Sequence, residues 1–154
     1  MVTEMGMAAR FPIANVRSSS RKSGGVRGIR LDPDDRVVSM DVVIPGAQLF
    51  VVSRKGFGKL TPIQAYRRTA RGAKGVITLK ITEKTGPVAA AHLVLDAIEI
   101  MLVTEQGIIE RLPLSEVRVT GRIAQGVWIM RDKEKDNMTV ATITSINGHA
   151  GTAK

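Results

Sequence analysis

The chain repeats itself three times at a spacing of about fifty residues, and this constrains its fold more than any other feature. Val2-Thr3-Glu4-Met5-Gly6 returns as Val52-Ser53-Arg54-Lys55-Gly56 and again as Val103-Thr104-Glu105-Gln106-Gly107, which puts the turn glycines 50 and then 51 positions apart. The register holds through Pro12, Pro62 and Pro113, through Arg17, Arg67 and Arg118, and through Arg21, Arg71 and Arg122. It continues through Gly25-Val26, Gly75-Val76 and Gly126-Val127. A fixed period of this length marks a propeller or solenoid built from one small supersecondary unit per repeat. Besides turn residues, arginine recurs most strictly.

Within each repeat the local pattern is β. Leu49-Phe50-Val51-Val52-Ser53 and Ile100-Met101-Leu102-Val103-Thr104 are short, β-branched runs that stop at Lys55-Gly56 and Gln106-Gly107, a strand meeting a hairpin turn. A more polar second strand follows, Gly58-Lys59-Leu60-Thr61 or Ile109-Glu110-Arg111-Leu112, ending at Pro62 or Pro113. Proline lacks the N–H a central strand position needs, so it suits a strand end. Pro62 to Arg67 and Pro113 to Arg118 allow a single helical turn leading into a basic loop. Val76-Ile77-Thr78-Leu79-Lys80-Ile81 then predicts a third strand of the same unit. Val88 to Val94 predicts a fourth, with Arg36 to Val43 and Met138 to Ile143 in the same slot of the other repeats. Four strands per fifty or so residues is a propeller-type blade. The expected architecture is therefore all-β and propeller-like, with three four-stranded antiparallel blades over about 1–47, 48–98 and 99–146. The small, polar stretch 147–154 is expected to be a disordered tail.

Composition narrows the function. The chain has 154 residues, of which 44% are hydrophobic and only 3% aromatic, so its core must be aliphatic. The longest apolar runs are interrupted far short of a bilayer span. The N-terminus has neither a basic region nor an apolar region of the secretory kind, and there is no cysteine. A reducing, cytoplasmic setting is expected.

The formal net charge of +9 points to a polyanionic partner, nucleic acid first. Residues 1–50 carry 7 basic and 5 acidic groups, 51–101 carry 9 and 3, and 102–154 carry 7 and 6, so the middle repeat is the electrostatic centre. The basic loops carry Arg17, Arg21, Lys22 and Arg27, then Arg67, Arg68, Arg71 and Lys74, then Arg118 and Arg122, with Arg17, Arg67 and Arg118 and also Arg21, Arg71 and Arg122 at recurring positions. Glycines between these cations let a phosphate approach backbone N–H groups. Such contacts read phosphate and not base sequence. One such loop alone would be an ordinary solvated face. Three in register form a track.

Other candidates are structural on this reading. Tyr66 adjoins Arg67-Arg68, but its repeat counterparts are Val16 and Val117 and no activating base or metal accompanies it, so it packs. His92 and His149 lack ligand spacing. Asp32-Pro33-Asp34-Asp35 and Asp132-Lys133-Glu134-Lys135-Asp136 are turns without the features of a calcium loop. Trp128, in the slot of Arg27 and Ile77, is expected to pack between blades. No catalytic residue, metal site or cofactor site is expected in this chain.

The runs Gly24-Gly25-Val26-Arg27-Gly28-Ile29-Arg30-Leu31, Arg71-Gly72-Ala73-Lys74-Gly75-Val76-Ile77 with Lys80-Ile81-Thr82-Glu83, and Gly121-Arg122-Ile123-Ala124-Gln125-Gly126-Val127 resemble the blade motifs of the DNA gyrase A C-terminal domain. The resemblance implies a β-pinwheel whose basic rim binds and wraps duplex DNA without sequence preference, and it suggests the last three of the six blades usual there. It also implies partners, the rest of gyrase A together with gyrase B, which supply ATP and Mg chemistry and the cleavage tyrosine for negative supercoiling in a bacterial, nucleoid-associated setting. The family's Gln-Arg-Arg-Gly-Gly-Lys-Gly type box is absent, with Ala70-Arg71-Gly72-Ala73-Lys74-Gly75 only an echo, and the chain opens inside a strand at Met1-Val2-Thr3. Two alternatives stand beside this reading. One is the corresponding C-terminal domain of topoisomerase IV. The other is a propeller-like protein-interaction scaffold.

Overall fold

In a computed structural model, residues 1–95, 97–130 and 139–147 are described. The first repeat supplies β1 (Val2–Thr3), β2 (Met7–Ala8) and β3 (Val37–Ser39). The second supplies β4 (Gln48–Ser53), β5 (Phe57–Pro62), β6 (Val76–Ile77) and β7 (Val88–Val94). The third supplies β8 (Ala97–Thr104), β9 (Ile109–Pro113), β10 (Val127–Trp128) and β11 (Val140–Asn147). Single 3-10 turns at Ile13–Asn15, Ile63–Ala65 and Leu114–Glu116 follow the three prolines. They fit the one-turn expectation.

Each hairpin is closed by the same chemistry. The backbone N–H groups of Gly6, Gly56 and Gly107 donate to the carbonyls of Thr3, Ser53 and Thr104 at 3.0–3.1 Å. The hydroxyl oxygens of those three residues accept from Met7, Phe57 and Ile108 N–H at 3.1–3.2 Å. The glycines sit at φ +77, +78 and +80°, a left-handed conformation that costs an L side chain roughly 1–2 kcal/mol. A hydroxyl three residues before a glycine is thus the physical content of the repeat's strictest motif.

The sheets run β3-β1-β2-β6, β10-β5-β4-β7 and β11-β8-β9, with all strand pairs antiparallel. This corrects the expectation that the strand after each basic loop joins its own unit. β6, from the second repeat, pairs with β2 of the first, Val76 opposite Ala8. β10, from the third, pairs with β5 of the second, Val127 opposite Gly58. Among the described residues the third sheet accordingly has three strands, because by this pattern its fourth would come from a basic loop one repeat further on.

The core is aliphatic and lies in two layers. Leu49 and Val51 of β4 join Val2, Ala8, Ile63, Tyr66, Leu79, Val88 and Ala91 in one, and Phe50 and Val52 join Leu60, Ile100, Leu102, Ile129 and Val140 in the other. Successive side chains of a strand point to opposite faces, so a strand covered on both sides must be apolar throughout. That is why β4 reads as an unbroken Leu-Phe-Val-Val. The alanines of β7 leave room for a neighbouring sheet to approach closely.

The Asp32 to Asp35 segment is a turn, with Asp34 at φ +65° and the Asp35 carboxylate accepting from Met5 N–H at 3.0 Å. Its counterpart at 132–136, like His149 and positions 148–154 of the expected tail, lies outside the described residues.

Candidate nucleic-acid interface

The second and third basic loops are built onto the preceding repeat by one recurring set of bonds. Each first runs parallel to the end of that repeat's second strand: Arg10 bridges Arg68, and Leu60 bridges Val119. Thr69 N–H donates to the Arg10 carbonyl and Thr120 N–H to the Leu60 carbonyl, both at 2.8 Å. An arginine then reaches back. The Arg71 guanidinium donates to the carbonyls of Asn15 (2.8 Å) and Arg27 (2.6 Å), and that of Arg122 donates to the carbonyl of Ile77 (3.0 Å), the counterpart of Arg27.

A glycine completes the set. Gly75 (φ +87°) and Gly126 (φ +80°) bring the chain so close to the neighbouring hairpin that an added Cβ would lie 2.3 Å from the Ala8 carbonyl oxygen and 2.5 Å from that of Gly58. No side chain fits there. The strand then locks onto the hairpin glycine, with Thr78 and Leu79 N–H donating to the Gly6 carbonyl, and Ile129 and Met130 N–H to that of Gly56.

Two roles therefore exist among the predicted cations. Arg71 and Arg122 are half-buried clasps between repeats, and Lys74 forms a 2.6 Å ion pair with Asp32. Arg17, Arg67 and Arg118, which occupy one slot of the repeat, are exposed, as are Arg21, Lys22, Arg27 and Arg68. The side chains of these seven make no hydrogen bond or ion pair with the described residues. Since Arg71 contacts the Asn15 and Arg27 carbonyls, and Arg122 the Ile77 carbonyl, the loops stack in order along one edge of the array.

Sequence reasoning missed two cations beneath this edge. Lys59 is completely buried in β5, where its ammonium donates to the carbonyls of Gly121 (2.8 Å) and Arg122 (2.5 Å) and so holds the third loop. Burial, and secondarily the charge of Arg122, lowers its pKa to about 8. Arg10 holds the 3-10 turn that leads into the second loop, through the carbonyls of Ile63 (3.0 Å) and Tyr66 (3.1 Å). Nothing in Gly58-Lys59-Leu60-Thr61 distinguishes a covered lysine from a solvated one, because the cover is a loop sixty residues away.

A third feature was legible in the repeat itself. Glu4, Arg54 and Glu105 share one hairpin slot with alternating sign, and Arg54 pairs with Glu4 (2.9 Å) and lies 3.9 Å from Glu105.

Tyr66 packs as expected: it is buried, its hydroxyl is 2.6 Å from the Thr78 hydroxyl, and desolvation raises its pKa. Trp128 packs on Phe57 of the middle repeat with ring centroids 4.1 Å apart, yet 47% of it stays exposed. His92 links three repeats, 3.3 Å from the Asp41 carboxylate and 3.2 Å from the Ser145 hydroxyl. Among the described residues no group of three His, Cys, Asp or Glu could hold a metal, and no helix is long and apolar enough to cross a membrane.

Fold and edge together define a class, the β-propeller-like repeat arrays whose blades exchange strands and present one basic rim. The chain belongs to the family described as DNA gyrase C-terminal domain, beta-propeller, whose model matches residues 1–44, 47–94 and 99–145, one segment per repeat. It is 40% identical over 144 residues to DNA gyrase A of Dehalogenimonas lykanthroporepellens, covering 90% of this chain and 18% of that protein. It is 45% identical over 126 residues to DNA gyrase A of Thermotoga maritima, covering 80% and 16%. The chain thus spans less than a fifth of the length of these curated relatives.

Among solved structures, a DNA gyrase A C-terminal domain superposes with a TM-score of 0.86 at 27% identity, covering 94% of this chain and 49% of that one. A C-terminal domain of DNA topoisomerase IV superposes equally well, with a TM-score of 0.86, at 22% identity, over 95% of this chain and 45% of its own. That second likeness concerns the fold alone.

Proposed function

We propose that this chain binds duplex DNA along its loop edge, without sequence preference, and bends it, as the DNA-wrapping part of a gyrase-type topoisomerase. The observation that carries the reading is the stacking of three equivalent loops, which leaves Arg17, Arg67 and Arg118 solvated in one recurring slot. Arg21, Lys22, Arg27 and Arg68 extend that row of cations, and Lys74, Arg71 and Arg122 support it from within the loops. Phosphates spaced along a duplex meet such a row as a continuous counter-charge. The relatives favour gyrase A over its topoisomerase IV counterpart. In that assembly the rest of gyrase A together with gyrase B would supply the cleavage tyrosine and the ATP and Mg chemistry of negative supercoiling, and the setting would be the cytoplasm and nucleoid.

Affinity for duplex DNA should fall steeply with salt. With three to six phosphates neutralised, the loss is roughly 10²–10³-fold between about 50 and 200 mM. The Arg67→Ala/Arg68→Ala variant should weaken binding equally on unrelated duplexes of about 40 base pairs, read by fluorescence anisotropy. A flat salt response, or an unaffected variant, would favour the interaction scaffold instead.

A further inference from the structure

The two junctions between successive repeats fill equivalent slots with different side chains. Where the second repeat meets the first, the Arg10 guanidinium crosses to the 3-10 turn Ile63–Ala65 and donates to the carbonyls of Ile63 and Tyr66. The backbone bridges fix the correspondence, since Arg10 opposes Arg68 and Leu60 opposes Val119. Leu60 therefore stands in the slot of Arg10, and Leu114 and Val117 in those of Ile63 and Tyr66. The turns themselves match: Tyr66 and Val117 N–H donate to the Ile63 and Leu114 carbonyls, each at 3.1 Å. Leucine has no donor, so the carbonyls of Leu114 and Val117 receive nothing from that slot. Lys59, one position earlier, does not replace it, because its ammonium serves Gly121 and Arg122.

A groove lies where the guanidinium would be. Its volume is about 460 Å³, and its walls, which include Gln48, Leu60, Ala97, Leu114, Val117 and Val119, come wholly from the second and third repeats. That is within the roughly 300–1,000 Å³ of small-ligand sites. The charge changes in one direction as well. Besides the loss of Arg10, Val119 replaces Arg68 and Glu116 replaces Ala65. Glu116 is exposed, and its carboxylate makes no hydrogen bond or ion pair with the described residues.

We propose that this groove binds the arginine side chain of a partner polypeptide. The aliphatic stem lies on Leu60, Leu114 and Val119, the guanidinium donates to the carbonyls of Leu114 and Val117 as Arg10 does to those of Ile63 and Tyr66, and Glu116 supplies the counter-charge. A planar, weakly hydrated guanidinium on an apolar stem suits an aliphatic floor edged by carbonyls, whereas a compact ammonium keeps its water. The first junction is the template for the occupant at the second, with the arginine now brought from another molecule. The third repeat also tolerates a cationic partner best, because residues 102–154 carry 7 basic and 6 acidic groups against 9 and 3 in residues 51–101.

Amide NMR shifts of this chain, titrated with the capped peptide acetyl-Ala-Arg-Ala-amide, test this without DNA, so failure leaves the DNA reading untouched. Saturable shifts should centre on Ser115, Glu116 and Val117, with a dissociation constant of about 1 mM, ordinary for one anchored side chain. The lysine version of the peptide should bind about fivefold more weakly or worse. Leu60→Arg, which rebuilds the Arg10 arrangement within the chain, should abolish the shifts. Glu116→Ala changes an exposed side chain and leaves the fold intact, and it should weaken binding about threefold. The proposal is overturned by the absence of saturable shifts at these residues up to about 20 mM peptide. Equal binding of the lysine peptide, or full affinity in Glu116→Ala or in folded Leu60→Arg, would overturn it too.

Discussion

Arginines that look interchangeable in the repeat are separated by their hydrogen bonds. Arg71 is a clasp and Arg67, four residues earlier, is free. Arg71→Ala should lower stability by about 1–2 kcal/mol, because two charge-assisted bonds to backbone carbonyls are lost, and should weaken DNA binding as well. Arg67→Ala should weaken DNA binding with no change in denaturation midpoint. Parallel urea unfolding and anisotropy measurements separate the two roles.

Lys59 makes a pH-dependent prediction. Its folded pKa of about 8 lies below the ordinary 10.5, so between those values the unfolded chain binds more protons than the folded one. Stability should therefore rise with pH across that window, by roughly 3 kcal/mol at most, with the full desolvation penalty present below pH 8. The raised pKa of Tyr66 acts with the opposite sign, and only above about pH 10. Thermal melts should show that Lys59→Met flattens the slope between pH 8 and 10, and an unchanged slope would assign it to another group.

At the scale of the element, the glycine after each basic loop decides whether a strand can cross to its neighbour. Gly126→Ala imposes a left-handed conformation on an L residue and drives its Cβ into the Gly58 carbonyl, so it should cost more than about 3 kcal/mol. Gly25→Ala meets no described atom within 4 Å and should cost only about 1 kcal/mol. Urea midpoints for the pair test the exchange directly. Equal losses would mean that the close approach at Gly126 contributes nothing.

Across the whole molecule, the ladder Glu4–Arg54–Glu105 ties all three hairpins through one slot. Arg36 adds a second partner for Glu4 at 2.7 Å. Arg54→Glu would place three like charges in that slot. The expected loss is roughly 1–2 kcal/mol at low ionic strength, shrinking as salt screens the repulsion. A loss independent of salt would show that Arg54 acts through packing alone.

Much of this protein follows from short stretches of sequence. The hydroxyl and glycine of each hairpin, the proline before each 3-10 turn and the apolar run of β4 are local signals, and each carries its own conformational reason. So do the basic loops, whose spacing alone put Arg17, Arg67 and Arg118 in one row. Partnership was not legible. Val76-Ile77 has the same β preference whichever sheet it joins, and its crossing to Met7–Ala8 is settled by Gly75 against the Ala8 carbonyl, a contact between residues nearly seventy positions apart. The roles of Arg71 as clasp and Lys59 as buried anchor were fixed in the same way. A cation's function depends on whether carbonyls or water surround it, and only the packing of one repeat on the next decides that.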